Sequence, residues 1–430
     1  MKTTEFEVLP GIFLRTVQTN RFKTASLAAA FLSPLKEKTA SVRALLPFLL
    51  RRGCKKLPDL ASVNYELDYL YGASAEPLVH KQGDVQYLGF YCSGIDDSYL
   101  SLEKPMLSSL LELVHDLLLD PVLEDGCFKS DYVSGEKENL VNAILSEKNE
   151  KLSYAYQRSL RKMFPNQPFG ISALGDAKRA REITSESAYS EYQALLKQAP
   201  LTITYCGSMS PQSVADMVKN VFSDFLRDIV SDVQCTKPFF VEEQRACHDV
   251  MDVSQTVLFV GMKAPEDEVI MKVLSAVLGG GTASKLFLNV RERASLCYYT
   301  GSVYQPRQNT ICLYAGVEDE KTSLACEKML DEFKNCAEGR ITEEELKQAK
   351  QVLVNQLKTT QDTAGSLLSY WLERAVDRNA KTPEELADAI CKVTQEQVVA
   401  AAQACEVKLV YRLCGKEAVS NEREYLPEHQ

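Results

Sequence analysis

The order of elements in this chain is written twice. An extended segment at 24–32 leads into a helical run that closes on a basic and glycine break at 44–53. A further helix then reaches a tyrosine-rich turn, Tyr69-Leu70-Tyr71-Gly72-Ala73-Ser74. The same succession returns at 255–262, at 269–281 and at Cys297-Tyr298-Tyr299-Thr300-Gly301-Ser302. Strands follow in both copies, at 85–93 and at 310–317, where Ile311, Leu313, Ala315 and Val317 share one face with the period-2 pattern of a half-buried strand. Long helices come next, carried by Leu140, Val141, Ile144 and Leu145, and by Leu353, Leu357 and the segment to Leu372. Ile341-Thr342-Glu343-Glu344-Glu345 opens one of them with a Thr-x-x-Glu capping box. Each half ends in a β-rich segment and a glycine, at 201–207 and 408–415.

A unit repeated at about 200 residues predicts an α+β protein of two lobes in a clamshell, each a mainly antiparallel sheet packed with helices. The expected boundaries are 1–227 for the first lobe, 228–246 for the linker and 247–430 for the second lobe. A site between the lobes is the natural expectation.

Charge and cysteine usage narrow the function. The 430 residues carry a net charge of −10, against a nucleic-acid surface. The basic cluster Arg51, Arg52, Lys55 and Lys56 reads as a solvated helix face. Thirteen cysteines, scattered singly, indicate buried thiols in a reducing compartment. The N-terminus lacks the pattern of a signal peptide, and no apolar run approaches the ~18 residues of a membrane span. A cytoplasmic protein that binds neither membrane nor nucleic acid is expected.

Chemistry is sparse. The four histidines, His80, His115, His248 and His429, form no zinc-ligand frame. His115 lies among Leu110, Leu111, Val114, Leu117 and Leu118, where a satisfied, partly buried imidazole is expected. Gly279-Gly280-Gly281 lacks the Lys-Ser/Thr of a phosphate loop and reads as a flexible helix break. Beyond it, Arg291 and Tyr298 stand seven residues apart, a cation and a phenol able to grip a peptide carbonyl or carboxylate.

Three stretches together resemble the pitrilysin/insulinase superfamily of inverted-zinc-motif peptidases, which includes the mitochondrial processing peptidases. Gly279-Gly280-Gly281-Thr282-Ala283-Ser284-Lys285-Leu286-Phe287 with Arg291-Glu292 and Leu296-Cys297-Tyr298 is similar to that family's second-lobe signature. Phe164-Pro165-Asn166-Gln167-Pro168-Phe169-Gly170 with Leu174-Gly175 and Ile183-Thr184 is similar to its first-lobe stretch, and Ile341 to Lys350 to a second-lobe helix start. The resemblance implies the LuxS/processing-peptidase type of fold.

It also exposes a departure. Ala44, Pro47 and Phe48 stand where active relatives carry the two zinc histidines and the water-activating glutamate of H-x-x-E-H. The best register places Ile144 at the third ligand, with Glu138 and Glu147 within a turn or two. Such a chain holds no zinc of its own; the resemblance implies zinc only in a homologous partner subunit, as in bacterial YmfF-type proteins that accompany a YmfH-type zinc subunit. Arg291 and Tyr298 match the family's substrate-binding pair, with Gly279, Gly280 and Gly281 as the glycine-rich loop before them.

Three functions are open. The chain is the non-zinc subunit of a heterodimeric peptidase, lending Arg291 and Tyr298 and half of a peptide chamber. Alternatively it is a non-proteolytic peptide or protein scaffold, conceivably in a protein-modification pathway. The third, a free-standing peptidase with a non-local metal site, is disfavoured by the missing histidines. A homodimer of the isolated chain is compatible with the first two.

Overall fold

The computed structural model describes residues 2–227, 230–377 and 380–415. His429, and the ends of the expected linker and second lobe that fall at 228–229 and 416–430, lie outside the described residues. The chain divides into two compact units.

The first unit comprises Met1–Ser146, Ile171–Cys235 and Thr360–Ala380. Its strands are β1 (Lys2–Leu9), β2 (Ile12–Gln18), β3 (Thr24–Pro34), β4 (Ser74–Gln82) and β5 (Val85–Ile95), a two-residue hairpin β6 (Leu123–Glu124) and β7 (Cys127–Phe128), and β8 (Leu201–Gly207). Six of them form one sheet in the order β1-β2-β8-β3-β5-β4. β3 is central and buried on both faces, which its run of Ala28, Ala29 and Ala30 permits. Those small side chains leave room for Gly89 of β5, whose hypothetical Cβ would lie 2.0 Å from the Ala29 carbonyl oxygen. Helices Ala40–Leu50 and Met106–Leu119 bury Leu45, Leu46 and Leu49, and Leu110, Leu111, Val114, Leu117 and Leu118, in the same core.

The second unit comprises Glu147–Gly170, Thr236–Thr359 and Lys381–Gln430. Its strands β9 (Arg245–Val250), β10 (Thr256–Lys263), β11 (Cys297–Gln305), β12 (Thr310–Val317) and β13 (Glu406–Cys414) are ordered β11-β12-β10-β13-β9. Alternation divides the sheet between two cores. Leu258 and Val260 of β10 join Ile311, Leu313, Ala315 and Val317 of β12 under helices Glu268–Gly279 and Thr322–Ala337. Val257, Phe259, Leu409 and Tyr411 face the other way, onto Leu160 and Met163 of helix Lys151–Met163. The face expected for β12 is buried, but Cys312 on the opposite face is 1 % exposed in the other core, so the strand is buried on both faces rather than half-buried.

The two sheets share one topology. β2-β8-β3-β5-β4 corresponds strand for strand to β9-β13-β10-β12-β11. In each, one pair is parallel, β2 with β8 and β9 with β13, and the neighbouring pairs are antiparallel.

Packing does not follow contiguous halves of the chain. Helix Ala364–Leu372, from the second half, packs on β3 and β8 of the first unit. Helix Lys151–Met163, from the first half, packs on β10 and β13 of the second. Specific polar ties accompany both. Arg15 of β2, buried to 6 % exposure, donates to the carbonyl of Trp371 in the last turn of helix Ala364–Leu372 and to those of Arg374 and Asp377 in the turn beyond it, each at 2.9 Å. Arg158 forms a bidentate pair with Asp249 of β9 at 2.6 and 3.1 Å, and the Tyr411 hydroxyl donates to the same carboxylate. The long helical segment expected to reach Leu372 is broken after Thr359, because Thr363 caps a separate helix through the Ser366 N–H.

Candidate functional site

The glycine-flanked segment is built outward from helix Glu268–Gly279, which Asp267 opens by accepting from the Ile270 N–H. The helix buries Met271, Leu274, Val277 and Leu278. Gly279 closes it against β11: a Cβ there would stand 2.2 Å from the Ser302 nitrogen and 2.4 Å from the Gly301 carbonyl carbon. None of Gly279, Gly280 and Gly281 has a positive φ. The glycines end the helix as expected, but close backbone approach, rather than flexibility, is what requires Gly279. Beside them Lys285, 7 % exposed, donates to Glu345 Oε1 at 2.9 Å. Glu345 Oε2 accepts from the Thr342 N–H at 2.8 Å, and Thr342 Oγ1 accepts from the Glu345 N–H, so the expected capping box forms and carries an ion pair as well. Burial alone would raise the Glu345 carboxyl; the bonds from Lys285 and Thr342 prevail and hold it below its ordinary value.

From Leu286 the backbone becomes irregular. Leu286–Arg293 is a π-helix, closed by the Ala294 N–H on the Asn289 carbonyl at 3.2 Å. Leu286 and Val290 anchor it in the core. Ser295 then adopts φ +50°, and β11 begins with a bulge: Cys297 pairs with Val317 and Tyr299 with Gly316, leaving Tyr298 as the extra residue. π-turns and bulges re-aim side chains and are frequent beside functional sites.

The two side chains singled out by sequence are both accessible, and each has its own partner. The Arg291 guanidinium lies 4.6 Å from the Phe287 ring centroid and 3.8 Å from Glu292. Tyr298, 53 % exposed, donates its hydroxyl proton to Glu318 Oε1 at 2.8 Å. Lys321 lies 2.8 Å from the other Glu318 oxygen. The bond to Glu318 raises the Tyr298 phenol, while Lys321 first and Tyr298 second hold Glu318 low. Between the pair in sequence, burial pushes the Cys297 thiol up to about 11, against the pull of Arg291. At neutral pH that favours the protonated thiol.

Glu318 escaped the sequence reading, and Phe287 entered it only as part of the signature, not as the partner of Arg291. Phe287 is four residues before Arg291, a spacing that could have flagged the stack. Glu318 comes next to Tyr298 only through the β11–β12 register, which the bulge shifts.

Ala44, Pro47 and Phe48, the positions expected to answer to a zinc motif, lie on helix Ala40–Leu50 of the first unit, which packs against helix Ser130–Ser146. Ala44 and Pro47 are buried and Phe48 is half-buried. A methyl, a pyrrolidine and a phenyl ring offer zinc no donor, and Ile144 is a partly buried hydrocarbon. The carboxylate at this place, Glu136, accepts from Arg52 at 2.6 Å and from Asn139 at 3.1 Å. Among the described residues no group of three His, Cys, Asp or Glu could hold a metal. The residues do not fit zinc. His115 is a satisfied core imidazole, with Asp116 and Asp224 at 3.1 and 2.9 Å and Phe222 against its ring. No helix among the described residues is long and apolar enough to cross a membrane.

The fold and a helix that offers no metal donor are joined by a likeness of class: residues 182–353 match the family described as the peptidase M16 inactive domain. The particular likeness is to the "Probable inactive metalloprotease YmfF" of Bacillus subtilis (strain 168), 29 % identical over 415 residues, covering 95 % of this chain and 97 % of that one. An uncharacterized zinc protease of Rickettsia bellii is 20 % identical over 298 residues, covering 66 % of this chain and 69 % of its own. Among solved structures, a conserved protein from Enterococcus faecalis V583 superposes with a TM-score of 0.87 at 23 % identity, over 98 % of this chain and 100 % of that one. A peptidase M16 inactive domain from Pseudomonas fluorescens gives 0.78 at 16 %, with the same coverage.

Proposed function

We propose that this chain is the non-zinc subunit of a two-chain peptidase, lending Arg291 and Tyr298 to a peptide held with a zinc-bearing homologue in the cytoplasm. The observation that carries the reading is the contrast between two segments. At Ala44, Pro47 and Phe48 the helix offers hydrocarbon and no metal donor, whereas the second-unit segment has a π-turn, a bulge and two accessible polar side chains. A guanidinium and a phenol near a scissile carbonyl supply hydrogen-bond donors to the developing oxyanion, and loss of one such donor costs about 3 kcal/mol of transition-state stabilisation. In the free chain Tyr298 spends its proton on Glu318, so engagement of a carbonyl requires that bond to open.

The test is reconstitution with the zinc-motif homologue and a quenched fluorescent peptide library. The mixture should cleave faster than the zinc subunit alone, and Arg291→Ala should reduce the mixture's rate by roughly 100-fold with the complex intact. Equal rates with and without this chain would sink the proposal. A second reading, a scaffold that adds a peptide as an outer strand, draws on β11 lying at the sheet edge. It predicts peptide binding that Arg291→Ala leaves unchanged.

A further inference from the structure

Helix Leu60–Tyr69 of the first unit buries Val63 and Leu67 and turns Tyr65 and Tyr69 outward, each 74 % exposed and one helical turn apart. Two residues later Tyr71 adopts φ +58° with its ring 54 % exposed. A non-glycine residue in the left-handed region is strained, and an exposed aromatic there gains no core packing in return. Tyr99, 55 % exposed, leaves the sheet at the same end, since β5 pairs Ser93 with Ser74, three residues after Tyr71. Large exposed rings kept at such cost mark a surface that another molecule covers.

The charge on this face selects the occupant. From residue 57 to residue 80 the chain has no Lys or Arg, while Glu66, Asp68 and Glu76 are all acidic. Arg51 reaches the helix at Asn64 and bonds the Ala75 carbonyl, both at 2.7 Å, and its charge faces Glu76, which leaves Glu66 and Asp68 as the acids beside Tyr65 and Tyr69. Carboxylates attract cations, and the π-faces of tyrosines do the same. A second copy is disfavoured, because a chain of net charge −10 would set acidic face against acidic face.

We infer that the Tyr65–Tyr69–Tyr71 face is a docking surface for an arginine-rich helical segment of a partner protein. It lies outside the Arg291 and Tyr298 segment and stands whether or not those residues act on peptides. The probe is a fluorescent 20-residue helix of repeated Ala-Ala-Leu-Arg, read by anisotropy at 50 and 300 mM salt, with a Glu-for-Arg version as control. The Arg peptide should bind, weaken roughly tenfold in Tyr65→Ser/Tyr69→Ser and in Asp68→Lys, and weaken again at high salt. Circular dichroism checks that the variants stay folded, and their outward side chains leave the core untouched. Equal binding of wild type and both variants, or of the Glu peptide, overturns the inference. So does a dimer in sedimentation, or retention on phosphatidylcholine vesicles, that Tyr65→Ser/Tyr69→Ser abolishes.

Discussion

The Arg15 guanidinium stands 5.1 Å from the ring centroid of Trp371 and donates to the carbonyl of the same residue, so one side chain both stacks on a helix and caps it. The residues are 356 positions apart. Arg15→Met should destabilise the protein by about 3 kcal/mol, because one carbonyl in the last helical turn and two in the turn beyond it lose a buried charged donor. Glu5→Gln, which removes only a partly exposed ion-pair partner, should cost less than about 1 kcal/mol. Urea denaturation of the two variants decides the point; equal losses would contradict it.

Two glycines make a matched comparison. A Cβ at Gly89 would meet the Ala29 carbonyl oxygen at 2.0 Å, and a Cβ at Gly261 would meet Met163 Cε at the same 2.0 Å. A carbonyl in a central strand cannot yield, whereas a thioether end can rotate away. Gly89→Ala should therefore cost more than about 3 kcal/mol or prevent folding, and Gly261→Ala about 1 kcal/mol. Soluble yield and thermal midpoints measure both.

Pro47 sits inside helix Ala40–Leu50, where it leaves the Arg43 carbonyl without its usual N–H donor. Pro47→Ala restores that donor and sheds a residue ~3 kcal/mol poorer in a helix interior, at the loss of some buried ring surface. The expected net gain is about 1 kcal/mol, seen as a raised urea midpoint; a lowered midpoint would show that ring packing outweighs the helix term.

The Glu345 carboxyl is held below its ordinary 4.5 in the folded chain. A depressed folded value means that the folded state binds fewer protons, so this contribution is complete above the ordinary value and is lost as pH falls below it. The stability difference between wild type and Glu345→Gln should be constant from pH 8 to about 5.5 and shrink progressively below about 4.5. A difference that grows on acidification would reverse the assignment.

Of the thirteen cysteines Cys391 is the exposed one. Burial pushes the thiols of Cys206, Cys312, Cys326, Cys336 and Cys405 up to about 12, so they remain protonated and shielded at neutral pH. A chromogenic disulfide reagent should titrate Cys391 fastest in the native protein, the partly buried thiols more slowly and the buried ones only in denaturant, and Cys391→Ser should remove the fast phase.

What sequence could show divides along physical lines. The buried face of β12 and the Thr342–Glu345 box were legible because they depend on residues within a few positions of each other. That Ala44, Pro47 and Phe48 offer a metal no donor is a matter of side-chain chemistry alone and can be read at any residue without a structure. Tyr298's partner was not, since a bulge sets the register that brings Glu318 to it. The capping of helix Ala364–Leu372 by Arg15 was not either, because no local pattern encodes a partner hundreds of residues away.

The exchange of helices sets a schedule for biogenesis. When residue 227 has left the ribosome, β3 and β8 are complete but the helix that covers them is unwritten. At ~5–20 residues per second, translation reaches Asp377 on the order of ten seconds later. Throughout that interval the apolar surface destined for Leu367, Leu368 and Trp371 is bare, so a transcript cut between the halves yields two orphans rather than two domains.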